Sequence, residues 1–143
     1  MNTRQQMKLI NTYICQSTAL YGEWAKQHGM SYNMFMILYA IDMAQPCTQK
    51  QISESWMIPK QTVNTIVKNM VQQGYVRFEA GQGQKEKLVR FTEQGELLAR
   101  EILEAMYQME DRVMERMGPE LCEMQLKSER AFAEALAKEV RGG

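Results

Sequence analysis

Apolar residues recur at steps of three and four along most of the chain, and one short stretch alternates instead. From about Thr3 to His28, the positions Met7, Ile10, Ile14, Tyr21 and Trp24 trace one face of a long helix, which Gly29 stops. After Ser31, a shorter helix carries Met34, Leu38 and Ile41 on one face and ends near Gln45-Pro46. Thr48 opens the next: "TQKQ" is a capping box, with Thr48 at the N-cap, Gln51 three residues later, and Ile52 and Trp56 turned inward. Beyond the link "MIP", "KQTVNTIVKNMVQQG" shows a single stripe of Val63, Ile66, Val67 and Met70, with Gly74 as its C-cap. "YVRFE" and "KLVRFT" then alternate as two strands about a turn near Gly81 and Gly83. Thr92 caps a helix running to about Met117 on Leu98, Ile102, Met106, Met109 and Val113. Gly118-Pro119 breaks the chain, and a last helix reaches about Val140 with Leu121, Met124, Phe132, Ala135 and Leu136 apolar.

The predicted order is α-α-α-α-β-β-α-α, mainly α with a small β-hairpin. Two short helices across a tight link, followed by a hairpin, read as a winged helix-turn-helix. The expected organisation is an N-terminal dimerisation helix over 1–30, a DNA-binding lobe over 31–95, and C-terminal dimerisation helices over 96–143. The outer helices carry more apolar face than one small lobe can cover, so pairing with a second copy is expected.

Composition narrows the chemistry. Hydrophobic residues are 45% and charged residues 24% of the 143, as in a globular protein. No run approaches the ~20 apolar residues of a membrane span and no secretory leader is evident, so no membrane association and a cytoplasmic location are expected. His28 is the only histidine, and Cys15, Cys47 and Cys122 are far apart. That spacing leaves no metal set, no cofactor motif and no nucleophile–base cluster for an enzyme. The zero net charge conceals a gradient: residues 1–45 balance at +1, 46–92 at +4 and 93–143 at −5. A basic middle points to a local anion-binding face.

That face falls on the second helix of the pair. Lys60, Gln61, Thr62, Asn64, Thr65 and Lys68 lie off its apolar stripe, and no acidic residue occurs from Lys60 to Arg77. Gln and Asn can pair with adenine, Thr can meet a thymine methyl, and Lys serves guanine or phosphate. The hairpin adds Gln82, Gln84, Lys85 and Lys87, with Arg77 and Arg90 on its strands. Lysines at such a tip suit the negative minor groove.

"TQKQISESWMIPKQTVNTIVKNMVQQGYV" followed by "KEKLVRFTEQG" resembles the winged-helix core of the MarR family of bacterial transcriptional regulators, over about residues 30–100. The ending "LVRFTEQG", with Leu88, Thr92 and Gly95, is the more specific half. The resemblance implies a homodimer that sets two recognition helices in successive major grooves of a pseudo-palindromic double-stranded site. It also implies a repressor released by a small phenolic or lipophilic ligand, or by thiol oxidation. Two positions depart from the pattern. Gly83, Gln84 and Lys85 stand where the family has Asp-x-Arg, so Lys85 lacks a bracing carboxylate. Pro59 replaces the usual Ser or Thr before the recognition helix, which costs a capping bond.

For the ligand, Tyr21, Trp24 and Tyr39 on the first two helices are the candidate lining. For the oxidant, Cys15 is the candidate, although no basic residue within a helical turn would activate it and a buried inert thiol is the alternative. A third reading is a protein-interaction module that kept the fold and lost DNA, for which the missing Asp-Arg pair speaks.

Overall fold

The structure is a computed structural model that describes residues 1–81 and 86–142. Its elements are α1 (Thr3–Gln27), α2 (Tyr32–Ala44), β1 (Cys47–Thr48), α3 (Gln49–Trp56), α4 (Lys60–Gln72), β2 (Val76–Glu79), β3 (Leu88–Phe91), α5 (Glu93–Met117) and α6 (Pro119–Arg141). The helices fall where the periodicity places them. The short strand β1 was not expected. It completes a three-stranded antiparallel sheet of order β1-β3-β2, with Cys47 opposite Val89 and Thr48 opposite Leu88.

The chain forms two compact units, Met1–Ile102 and Leu103–Gly143. In the first, α2 packs on α1, α3 and β3, and α3 packs on α4. Phe35, Ile37, Leu38, Ile52, Val63, Val67 and Val89 make its dry centre. In the second, no residue of α6 is buried. Met124, Leu126, Leu136 and Val140 of α6 are all at least half exposed in the single chain. Much of α1 is similar: Leu9, Ile10, Tyr13, Ile14 and Leu20 are exposed, and Ala25 is its one buried residue.

Local chemistry fixes the ends of the helices that carry the site. Thr48 and Gln51 exchange hydrogen bonds, with Gln51 N donating to Thr48 Oγ1 at 3.1 Å and Thr48 N donating to Gln51 Oε1 at 2.9 Å. Ser31 caps α2 by accepting from Met34 N. The α3–α4 turn is held by the buried Ser53 hydroxyl, which donates to the Ile58 carbonyl at 2.6 Å. This turn forces Met57 into the left-handed region at φ 53, ψ 41, with its side chain 82% exposed. A left-handed non-glycine residue costs about 1–2 kcal/mol, more than glycine loses in unfolded-state entropy. Met57→Gly is therefore expected to raise stability by up to about 1 kcal/mol in denaturant melts, and a loss of stability would show that the Met57 side chain packs usefully.

Thr92 and Gly95 explain the "LVRFTEQG" ending physically. Thr92 Oγ1 donates to the Gly74 carbonyl and accepts from Gly95 N at 3.0 Å, so one hydroxyl ties the α4–β2 turn to the start of α5. Thr92 N donates to the Tyr75 carbonyl at 3.0 Å. Here α5 crosses so close to Tyr75 that a Cβ on Gly95 would lie 1.8 Å from the Tyr75 oxygen. Only glycine fits there.

Candidate nucleic-acid interface

Helix α4 buries Val63, Val67 and Met70 and presents its other side to solvent. Lys60, Gln61, Thr65 and Lys68 are exposed, and Thr62 and Asn64 are half-buried. All six candidates thus belong to one helix, four on its open side and two at the edge of the stripe. Pro59 stands at the N-cap with no side-chain capping bond. Its carbonyl accepts from Val63 N at 3.0 Å, but the first-turn amides have no side-chain acceptor, an arrangement that favours an anion. Thr65 Oγ1 donates to the Gln61 carbonyl at 2.9 Å. The hydroxyl is satisfied within the helix, and the residue retains a methyl for apolar contact.

The hairpin alternates strictly. Val76, Phe78, Val89 and Phe91 share the inner face, with Val76 opposite Phe91 and Phe78 opposite Val89. Arg77, Glu79, Leu88 and Arg90 share the outer face, with Arg77 opposite Arg90 and Glu79 opposite Leu88. Glu79 Oε1 accepts from Arg77 Nη2 at 3.0 Å and from Arg90 Nε at 2.9 Å. Lys87 is exposed, and its ammonium sits 5.6 Å from the centre of the Phe78 ring. Gln82, Gly83, Gln84 and Lys85, and with them the Asp-x-Arg comparison, lie outside the described residues. Sequence reasoning placed Arg77 and Arg90 on the strands but missed Glu79 between them. The signal was available: Arg-x-Glu on one strand puts both side chains on one face.

The effector candidates fall into separate surroundings. The Trp24 ring stacks on His28 at 3.9 Å and meets Phe35 edge-on at 5.4 Å. Tyr39 instead meets Trp56 of α3 edge-on at 5.1 Å. Tyr21 is half-buried. A cavity of about 160 Å³ opens between α2, β1 and α3, lined by Ala40, Met43, Ala44, Cys47, Gln51, Ile52, Ser55 and Trp56. None of the three candidate aromatics lines it. Cys15 is exposed in the single chain, in contrast to the buried alternative, whereas Cys47 is buried. Burial pushes the Cys47 thiol above its ordinary value, which leaves it unreactive. Among the described residues, no group of three His, Cys, Asp or Glu side chains could hold a metal, and no helix is long and apolar enough to cross a membrane.

Comparison with known proteins places this geometry. The sequence model of the MarR family matches residues 28–85, beginning just after α1 and taking in α2 to β2. An uncharacterised HTH-type transcriptional regulator of Bacillus subtilis (strain 168), YwoH, is 28% identical over 92 residues, covering 64% of this chain and 67% of that protein. The structure of NMB1585, a MarR family regulator from Neisseria meningitidis, superposes with a TM-score of 0.83 at 28% identity, over 99% of each chain. MepR of Staphylococcus aureus, solved as a DNA complex, shares the fold with a TM-score of 0.70 at 15% identity, over 95% of this chain and 98% of that one.

Proposed function

Because this chain matches the MarR family model over residues 28–85 and shares the fold of MarR family regulators, we propose that it is such a regulator, acting in the cytoplasm as a homodimeric, sequence-specific repressor released by a small ligand. One observation carries the reading. The open face of α4 gathers Lys60, Gln61, Thr65 and Lys68, with Thr62 and Asn64 at its edge, and the segment from Lys60 to Arg77 holds no carboxylate to repel a phosphate. Lys60 and Gln61 at the helix start are assigned to base edges, and Lys68 to the backbone, as the N-terminal part of a recognition helix meets bases first. Lys85, Gln84 and Lys87 of the wing are assigned to the adjacent minor groove or its phosphates. That MepR is known as a DNA complex supports the same partner here.

The dimer rests on the exposed apolar residues of α1 and of α6, which a second copy would cover. A C2 pair would present two α4 helices to a pseudo-palindromic duplex. The released state is assigned to a small phenolic or lipophilic effector near Trp24, where a half-buried indole stacks on His28. The exposed thiol of Cys15 favours one alternative trigger, oxidation.

Retardation of the duplex upstream of the gene tests the reading, repeated with a phenolic ligand series, with peroxide, and with Cys15→Ser. The expected result is salt-sensitive binding abolished by a ligand and insensitive to peroxide. Loss of binding on peroxide treatment that Cys15→Ser prevents would transfer the trigger to the thiol. A salt-insensitive protein complex with no retardation of any DNA would replace the reading by an interaction module.

A further inference from the structure

The outer face of the wing gathers two arginines around one carboxylate. Arg77 and Arg90 are direct cross-strand partners, and like charges so placed repel. A single carboxylate oxygen, Glu79 Oε1, reconciles them at 3.0 and 2.9 Å. The order of exposure is telling: the Arg77 side chain is 55% and that of Arg90 36% exposed, while Glu79 beneath them is 27% exposed. The triad keeps one net positive charge. Among the described residues, Glu79 engages Arg90 through Nε alone, which leaves the terminal pair of amino groups unspent. Arg77 spends one Nη. A guanidinium fixed at its base with its planar fork open is suited to a tetrahedral oxyanion, to which it donates two parallel hydrogen bonds. Lys87, the other cation on the hairpin among the described residues, reaches the Phe78 ring, whose strand position lies on the opposite face.

We infer that Arg77 and Arg90 form a phosphate-binding clamp on the stem of the wing, with Glu79 as the positioning residue that holds both guanidiniums ready. The inference rests on the DNA-binding reading above. Helix α4 ends at Gln72 and packs against β2, which starts at Val76, so on that reading a duplex seated on α4 would carry its sugar-phosphate backbone past the adjoining strand. The clamp reads no sequence. It anchors the lobe on any duplex and leaves base choice to α4.

The test is equilibrium binding to a duplex of random sequence as salt is raised. Each phosphate contact adds about 0.9 to the slope of log affinity against log salt. R77A/R90A should therefore lower the slope by about 1.8, so that its deficit against wild type shrinks about twelvefold between about 50 and about 200 mM salt. R77K/R90K should keep the wild-type slope while binding more weakly at every salt, because charge is retained and the planar fork is lost. Glu79→Gln should shift affinity about threefold more when both arginines are present than in the R77A/R90A chain. A purely structural triad would change melting temperature and leave the slope alone. A wild-type slope in R77A/R90A overturns the clamp even if affinity falls. Failure of the wild-type chain to bind either the random duplex or its own upstream DNA overturns the DNA-binding reading itself, and the clamp with it.

Discussion

Gly95→Ala is expected to destabilise the protein by at least about 3 kcal/mol, enough to lower the melting temperature by roughly 10 °C and to deplete the folded chain on expression. The new Cβ would sit 1.8 Å from the Tyr75 oxygen and 2.7 Å from its carbonyl carbon, and neither backbone atom can swing aside. Relief requires α5 to lift away from Tyr75, which would break the bond from Thr92 N to the Tyr75 carbonyl and the Thr92 cap. Gly74→Ala makes the control. It sits at φ +82 with its nearest contact, Gln94 Oε1, at 3.4 Å on a flexible side chain, so the cost should be only the left-handed penalty of about 1–2 kcal/mol. Thermal or urea melts of the two variants should differ clearly. Equal melts would mean that α5 does not approach Tyr75 as described.

Lys60→Ala and Gln61→Ala should act on recognition alone. Both residues are exposed at the start of α4, so folding should change by no more than about 0.5 kcal/mol. Loss of a bidentate base contact costs about 1–3 kcal/mol, or about 5- to 150-fold in affinity for the specific site. For Gln61→Ala the loss should be confined to the preferred sequence, with random duplex bound almost as before. For Lys60→Ala, a loss shared equally by specific and random duplex would reassign the residue from guanine to phosphate. Competition titrations with both duplexes separate the cases. Unchanged binding by both variants would remove α4 as the recognition helix.

What was legible in the sequence was local. The capping box at Thr48 and Gln51, the Thr92 cap and the stops at Gly29, Gly74 and Gly118 each depend on residues within one turn, and each is present. The missing cap at Pro59 was equally legible. β1 was not, because two residues have no period and Cys47–Thr48 becomes a strand only through its pairing with β3. The reason for Gly95 was likewise hidden: the motif marks the position, but the collision with Tyr75 comes from a crossing that no spacing reports. The wing shows the same division. Alternation gave the strands, whereas the sharing of Glu79 between Arg77 and Arg90 needed the register that sets the arginines opposite each other. Aromatic content pointed to Tyr21, Trp24 and Tyr39 together. The fold gives Trp24 the ring partners His28 and Phe35, and Tyr39 the ring partner Trp56, and contacts such as those to Phe35 and Trp56 come from other elements that no spacing reports.

The apolar arms tie these features to function. On the proposed reading a lone lobe would grip one half-site, and the exposed apolar residues of α1 and α6 are what a second copy would cover in order to deliver two. Selection of bound duplexes from a random pool at physiological salt tests this whole account most directly. The account predicts enrichment of a split palindrome whose half-site centres lie about one helical turn, ~34 Å, apart. A pool that returns no enriched sequence, or a single unrepeated half-site, would contradict it.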